Sequence, residues 1–82
     1  MIDVRIATTA AVDYLKQFFP DANNVQLEEI EISEDEKFWT VTLSYDDNDR
    51  FGINYNRSKK YKIFKINATT GGVLSMKIRE LS

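Results

Sequence analysis

The pattern of hydrophobic and polar residues predicts one helix near the start of the chain. Hydrophobic side chains recur three and four positions apart over residues 3–19, a spacing that lines one face of a helix. These residues are Val4, Ala7, Ala11, Leu15 and Phe18. Asp3 is a candidate N-cap, and Pro20 favours an end at Phe19 because it disfavours helical geometry in the residue before it.

A shorter helix is the alternative. Thr8 and Thr9 are weak helix formers, so the helix could begin there, with a strand over Ile2–Ile6. We favour the longer helix because Val4 and Ala7 stay in phase with the hydrophobic face that follows.

Alternating hydrophobic and polar residues predict four strands in the rest of the chain. Their ranges are 25–33, 38–45, 61–68 and 73–79. In the first strand the alternation slips by one residue at Glu28-Glu29, and a β-bulge there would return both halves to one face. The second strand puts Trp39 and its alternate neighbours on one side and Thr or Ser on the other, which is typical of an antiparallel strand with one solvated face.

The segments between the predicted strands read as turns. Glu34–Lys37 is polar and indicates a hairpin connection, and Thr69–Gly72 carries the Gly-Gly pair that a tight hairpin turn with positive φ requires. Residues 50–60 mix period-2 alternation with turn-forming residues. We interpret them as a long connection, with a short extra strand over 50–58 as the alternative.

Together these elements predict a single α+β domain over residues 1–82. One N-terminal helix packs on one face of a four-stranded antiparallel sheet, in the order α-β-β-β-β of a meander. The helix face is expected to pack on the following sheet residues: Trp39, Val41, Leu43, Phe64, Ile66, Leu74, Met76 and Ile78. Trp39 is interpreted as the centre of this core, the alternative being an exposed anchor for recognition.

Composition narrows the possible chemistry. The chain contains no Cys and no His, so thiolate chemistry, ordinary zinc sites and the usual general base near neutral pH have no residues to carry them. We therefore expect no enzymatic activity, no cofactor and no metal. The first nine residues include an acid and no long apolar run, so a full-length product of this sequence is expected to be cytoplasmic, with no membrane segment.

The acidic segments have simpler interpretations than catalysis or calcium binding. The carboxylates between Glu28 and Glu36 are expected to form a solvated face, because a domain of this size has little room for the cleft that paired catalytic carboxylates need. Asp46–Asp49 lacks the spacing and the closing Glu of an EF-hand loop, and is interpreted as a turn.

Charge is distributed unevenly along the chain. Residues 1–49 hold 12 acids and 3 bases, a net −9, whereas residues 50–82 hold 8 bases and 1 acid, a net +7; the whole chain is therefore −2. We expect the two halves to neutralise each other across the sheet. The alternative is a basic face for an anionic partner.

The candidate interaction surface is the side of the sheet that one helix cannot cover. Its predicted residues lie around the third strand: Tyr61, Ile63, Lys59, Lys60 and Lys65. An apolar centre among charges favours a protein partner or self-association. The alternative is a nucleic-acid-binding strand over 57–65, in which bases neutralise phosphates and aromatics stack on nucleobases, although the overall acidic balance disfavours it.

The hairpin resembles that of the PepSY family of small α+β domains. The similarity rests on Trp39-Thr40-Val41 and on the run from Tyr61 through Asn67-Ala68-Thr69-Thr70-Gly71 to Leu74. Asn67 stands where the family usually has Asp, and Gly72 where it usually has Glu. The resemblance implies a helix packed on an antiparallel sheet and a non-enzymatic role, such as modulation of a peptidase, and it brings no catalytic residues.

Overall fold

The sheet is a four-stranded antiparallel meander with one helix on one face. The computed structural model describes residues 1–47 and 58–79. It contains α1 (Val4–Phe18), β1 (Asn23–Ile32), β2 (Phe38–Asp47), β3 (Ser58–Asn67) and β4 (Val73–Ile78), with the strands in the order β1-β2-β3-β4. The predicted α-β-β-β-β fold is confirmed, and the alternative of an N-terminal strand is wrong. Apart from Ser58, which begins β3, the possible extra strand over 50–58 lies outside the described residues.

The helix begins at the predicted cap and presents a narrow buried face. The Asp3 carboxylate accepts a hydrogen bond from the Ile6 N–H at 2.8 Å, which satisfies one of the free donors of the first turn. Ala7, Ala11 and Leu15 are completely buried against the sheet. Because two of these three side chains are single methyl groups, the helix backbone lies close to the strands. Within the part of the chain that the structure describes, no helix is long and apolar enough to cross a bilayer.

The structure corrects the prediction at the two ends of the helix face. Val4 is 44% exposed and Phe18 is 58% exposed, although both are in phase with the buried residues. Ile2, which precedes the helix, packs against the core at one end. At the other end Tyr14 lies edge-on against Phe64 with ring centroids 6.3 Å apart, and Phe18 packs on Tyr14 rather than on the sheet. Neighbouring side chains therefore occupy the places that the periodicity assigned to Val4 and Phe18.

The phase slip in β1 is a true irregularity of the sheet. The register runs from Leu27 opposite Leu43 to Glu29 opposite Thr42, so Glu28 is the additional residue between them. Ile30 then returns to the helix side, opposite Val41, and packs against the core. The β-bulge that the sequence predicts at Glu28-Glu29 is thus confirmed.

The centre of the core lies on β2 and β3. Side chains from alternate positions of both strands face the helix and are buried: Val41, Leu43, Tyr45, Phe64 and Ile66. Trp39 is half-buried at the edge of this cluster, and its indole N–H donates to the Ile2 carbonyl at 3.1 Å. Trp39 therefore lies on the helix side as predicted, but the most deeply buried large side chain is Phe64.

The second correction concerns β4. Ser75 pairs with Lys65 and Val73 pairs with Ile66, so Leu74 is an extra residue in the register. This irregularity turns Val73 rather than Leu74 toward the core, and Leu74 is 53% exposed. Ile78 keeps the predicted phase but is 71% exposed, because β4 is the edge strand and the helix does not extend over its end.

The two hairpin turns within the described residues are held by side chains. In the first, the Ser33 hydroxyl donates to the Asp35 carboxylate at 2.6 Å, and this hydrogen bond lowers the pKa of Asp35 below its usual value. In the second, the Asn67 carboxamide oxygen accepts from the N–H groups of Thr69 and Thr70. Gly71 follows with φ of 79°, the left-handed conformation that the Gly-Gly pair predicts.

Leu15→Ala tests the packing of the helix on the sheet. We expect it to lower the free energy of unfolding by about 2–5 kcal/mol, because it leaves a cavity beneath a completely buried side chain. Ile6→Ala, at an exposed position of the same helix, is the control and should cost less than about 1 kcal/mol. Urea titration measures both values, and a loss below about 0.5 kcal/mol for Leu15→Ala would contradict the packing.

Ser33→Ala tests the first turn. We expect the pKa of Asp35 to rise toward its usual value, because the largest cause of its depression is the hydrogen bond from Ser33. In the parent protein the lowered pKa stabilises the fold above the usual pKa of Asp, and this contribution is lost as pH falls through the folded-state pKa. NMR titration of the Asp35 carboxyl carbon measures the change, with Thr9→Ala on the distant helix as the control. An unchanged Asp35 titration in Ser33→Ala would show that this hydrogen bond does not form.

Candidate interaction surface

The face of the sheet opposite the helix, here called the open face, is assembled from alternate residues of all four strands. Successive side chains of a strand point to opposite sides, so the register identifies its members. They are Gln26, Glu29 and Glu31 on β1, Phe38, Thr40, Thr42, Ser44 and Asp46 on β2, Lys59, Tyr61, Ile63, Lys65 and Asn67 on β3, and Ser75 and Lys77 on β4, with Arg79 just beyond. The bulged Glu28 also reaches this face through its contact with Ser44.

The hydroxyl groups of Thr42 and Ser44 on β2 are buried although α1 lies on the opposite face of the sheet. Thr42 and Ser44 have almost no accessible surface. Arg79 donates to the Thr42 hydroxyl at 3.1 Å, and the Ser44 hydroxyl donates to Glu28 at 2.7 Å. Long charged side chains from β1 and from the end of β4 thus lie across β2 and satisfy its polar groups while covering them.

Two ion pairs join the acidic strand to the basic strands. The Glu29 carboxylate lies 3.1 Å from the Arg79 guanidinium, and the Glu28 carboxylate lies 3.6 Å from the Lys59 ammonium group. Each pair joins an acid from the first half of the chain to a base from the second half. The expected neutralisation across the sheet therefore occurs at this end of the open face.

The other end of the open face carries positive charge that has no ionic partner among the described residues. A groove of about 180 Å³ is lined by Thr40, Ile63, Lys65, Ser75 and Lys77. The Lys65 ammonium lies 4.2 Å from the centre of the Phe38 ring, which is a cation–π contact and leaves the charge uncompensated. Within residues 1–47 and 58–79, neither Lys65 nor Lys77 forms an ion pair.

The structure divides the predicted site residues between the two faces. Tyr61, Ile63, Lys59 and Lys65 share the open face, with Tyr61 and Ile63 half-buried at its centre. Lys60 lies opposite the buried Tyr45 and belongs to the helix side of the sheet. Its side chain therefore lies on the opposite face of the sheet from the other four.

Two basic residues of this surface were missing from the prediction. Lys77 lies beside Ile63, and the Arg79 side chain reaches from the end of β4 over β3 to Thr42 on β2. The alternation of the last strand already assigns Lys77 and Arg79 to its solvent side. The alternation does not give the register between β3 and β4. That register brings Lys77 beside Ile63 and Arg79 beside Tyr61.

The buried polar groups and the carboxylates of Glu28 and Glu29 have partners within the fold. Every buried polar side-chain atom in the described ranges has a hydrogen-bond partner. No cluster of three or more acidic side chains in these ranges could hold a metal ion. The carboxylates of Glu28 and Glu29 are occupied by Lys59 and Arg79, so their arrangement serves to neutralise charge.

Comparisons with protein-family models, curated proteins and solved structures give no match for this chain. The resemblance to the PepSY family therefore stays a prediction.

Arg79→Ala tests the layer of charged side chains over β2. We expect a loss of about 1–2 kcal/mol in the free energy of unfolding, because the buried Thr42 hydroxyl loses its donor and Glu29 loses its ionic partner. Lys77→Ala removes a cation from the same strand face without breaking an ion pair, and should change stability by less than about 0.5 kcal/mol. Chemical denaturation distinguishes the two, and equal effects would argue against a specific role for Arg79.

Proposed function

We propose that this chain is a non-catalytic binding module that recognises a protein partner through the open face of its sheet. The observation that carries the proposal is the composition of this face. A half-buried aromatic and a half-buried aliphatic side chain, Tyr61 and Ile63, lie at its centre, and charged residues surround them. An apolar centre with a polar rim is the arrangement that protein interfaces share.

Tyr61 is well suited to be the anchor of such an interface. Its ring lies beneath the Lys59 ammonium, 5.9 Å from the ring centre, and its strand is in the middle of the fold between β2 and β4. A rigid aromatic side chain on a central strand contributes contact area at little cost in conformational entropy. Tyrosine is also one of the residue types that most often dominate the binding energy of interfaces.

The residues available for chemistry favour binding over catalysis. The chain has no His and no Cys, and the described carboxylates nearest Tyr61 are held by cations rather than aimed into a cleft. A general acid or base needs a group free to exchange a proton with a bound substrate. We therefore assign no enzymatic role.

The PepSY resemblance supplies the finer form of the proposal. If the likeness reflects common descent, the partner is a peptidase and the chain modulates it. The Asn67 carboxamide accepts two N–H groups of the turn, bonds that the family's usual Asp could also accept, so this departure from the family pattern is compatible with the resemblance. The cytoplasmic location expected from the sequence also stays a prediction.

Nucleic-acid binding is the second candidate. It is favoured by Lys59, Tyr61 and Lys65 on one face, with Lys77 beside them. Against it, Glu28 and Glu29 lie at the same end as Tyr61 and repel phosphates. The other aromatic residue of this face, Phe38, is six residues along β2 from the partner of Tyr61, about 20 Å, which is too far for successive nucleobases to stack on both.

Site-specific photo-crosslinking tests the proposal. A benzophenone amino acid in place of Tyr61 is expected to give a discrete protein adduct in the cells that make this chain. The same group in place of Gln17, on the exposed side of the helix, is the matched control and should not give it.

The identity of the adduct separates the candidates. Mass spectrometry that finds another protein or a second copy of this chain supports the proposal, and light scattering over a concentration series then tells the two apart. An adduct that nuclease treatment destroys would favour the nucleic-acid candidate. Identical products from both positions, or none from Tyr61, would contradict an interface on the open face.

A further inference from the structure

The outer edge of β4 offers backbone groups to a further strand. β4 is the last strand of the sheet, and no other described residue pairs with its outer side. The Arg79 N–H donates inward to the Tyr61 carbonyl at 3.1 Å. Since hydrogen bonding alternates along an antiparallel strand, the N–H and C=O groups of Met76 and Ile78 point outward. An extended peptide could bond to both residues.

The side chains of this edge differ between its two faces. On the helix side Ile78 is 71% exposed, beside the partly buried Met76. On the open face, Lys77 and Lys65 border the groove that contains Ser75, and neither lysine has an ionic partner among the described residues. The edge is therefore apolar on one side and positively charged on the other.

The opposite edge of the sheet is protected in a way that β4 is not. β1 carries register shifts at Asn23/Gln26 and at Leu27/Glu29, which interrupt regular pairing, and a run of acids on its open-face side. Bulges of this kind are a common means of preventing strand addition. In β4 the single irregularity is at Leu74, so Ser75 to Ile78 forms a regular stretch.

We propose that the β4 edge docks an extended segment of the partner protein in which acidic and apolar side chains alternate. This proposal rests on the proposed function and names the chemistry of the partner. The segment adds a fifth strand by hydrogen bonding to Met76 and Ile78. Its apolar side chains lie beside Ile78, and its carboxylates lie beside Lys77 and reach toward Lys65.

Charge complementarity determines which segment fits. Two ammonium groups that have no ionic partner in residues 1–47 and 58–79, together with the Ser75 hydroxyl, favour carboxylates on the open-face side of the added strand. Among the described acids, Glu31 is in the same row of the sheet as Thr40 and Lys65, two strands away from Lys65. It forms no ion pair with Lys65 or Lys77. It weakens the local positive field without neutralising it.

A defined peptide tests the proposal. The probe is acetyl-Val-Glu-Val-Glu-Val-Glu-amide, with acetyl-Val-Lys-Val-Lys-Val-Lys-amide as the opposite-charge control. At low ionic strength the acidic peptide should perturb the amide signals of β4 in a titration followed by NMR. It should also slow hydrogen exchange of the outward Met76 and Ile78 amides by about tenfold at saturation, because they become hydrogen-bonded.

Charge-reversal variants supply the matched controls. K65E/K77E is expected to weaken binding of the acidic peptide by about tenfold, since attraction becomes repulsion at two positions. K60E reverses a single charge, half the change of the double variant, on the same strand as Lys65 but on the helix side, and is expected to change affinity less than about twofold. Lys60, Lys65 and Lys77 are all exposed, so their replacement does not disturb the core. Amide spectra verify that the variants keep their fold.

Each alternative result has a definite meaning. No binding of the acidic peptide up to about 1 mM, or equal binding by K65E/K77E, overturns the docking proposal. If the peptide fails while the Tyr61 crosslink succeeds, the open face is an interface and only the β4 edge is excluded; if both fail, the proposed function falls as well. Tighter binding of a single-stranded oligonucleotide with the same lysine dependence overturns it in favour of nucleic acid. Protection of Met76 and Ile78 that rises with protein concentration alone overturns it in favour of a second copy.

Discussion

The close contact between one side of the helix and the two central strands is the interaction on which the rest of the structure depends. Ala7, Ala11 and Leu15 are completely buried, and the two alanines bring the helix backbone close to β2 and β3. A single helix is about 10 Å wide, so it shields the middle of one face and leaves the outer strands and the reverse side to other groups. The exposure of Ile78 and the layer of charged side chains over β2 both follow from this limit.

The reverse side of the sheet shows how a small domain can cover a strand without a second helix. The β2 residues on that side are short hydroxyl-bearing residues, so longer side chains from both directions can lie flat over them. Glu28 comes from β1 and Arg79 from the end of β4, and both bond to the hydroxyls below. The strand order separates the acidic and basic strands by the width of β2, a span that these side chains can bridge. The uneven distribution of charge along the sequence thus becomes local pairing in three dimensions.

Local patterns predicted the parts of this fold that depend on short stretches of chain. The helix, the four strands, the bulge at Glu28 and the left-handed Gly71 follow from periodicity and turn chemistry. The errors arose where neighbouring side chains compete for one position and where a bulge changes the phase of a strand. Ile2 and Tyr14 fill the space assigned to Val4 and Phe18, and the bulge at Leu74 was hidden because the strand still alternates on either side of it. The candidate surface was predicted through β3, but the reach of Arg79 across two strands depends on side-chain length and register, which alternation does not contain.

The start of the chain is fastened to the sheet at two points. The Ile2 N–H donates to the Ala68 carbonyl, and the Ile2 carbonyl accepts the indole N–H of Trp39. Trp39 is the only tryptophan, so its fluorescence is an intrinsic optical sensor for the docking of this first segment. Release of Ile2 would expose the indole to water and shift its emission to longer wavelength, which makes early loosening of the N-terminal segment visible without any added label.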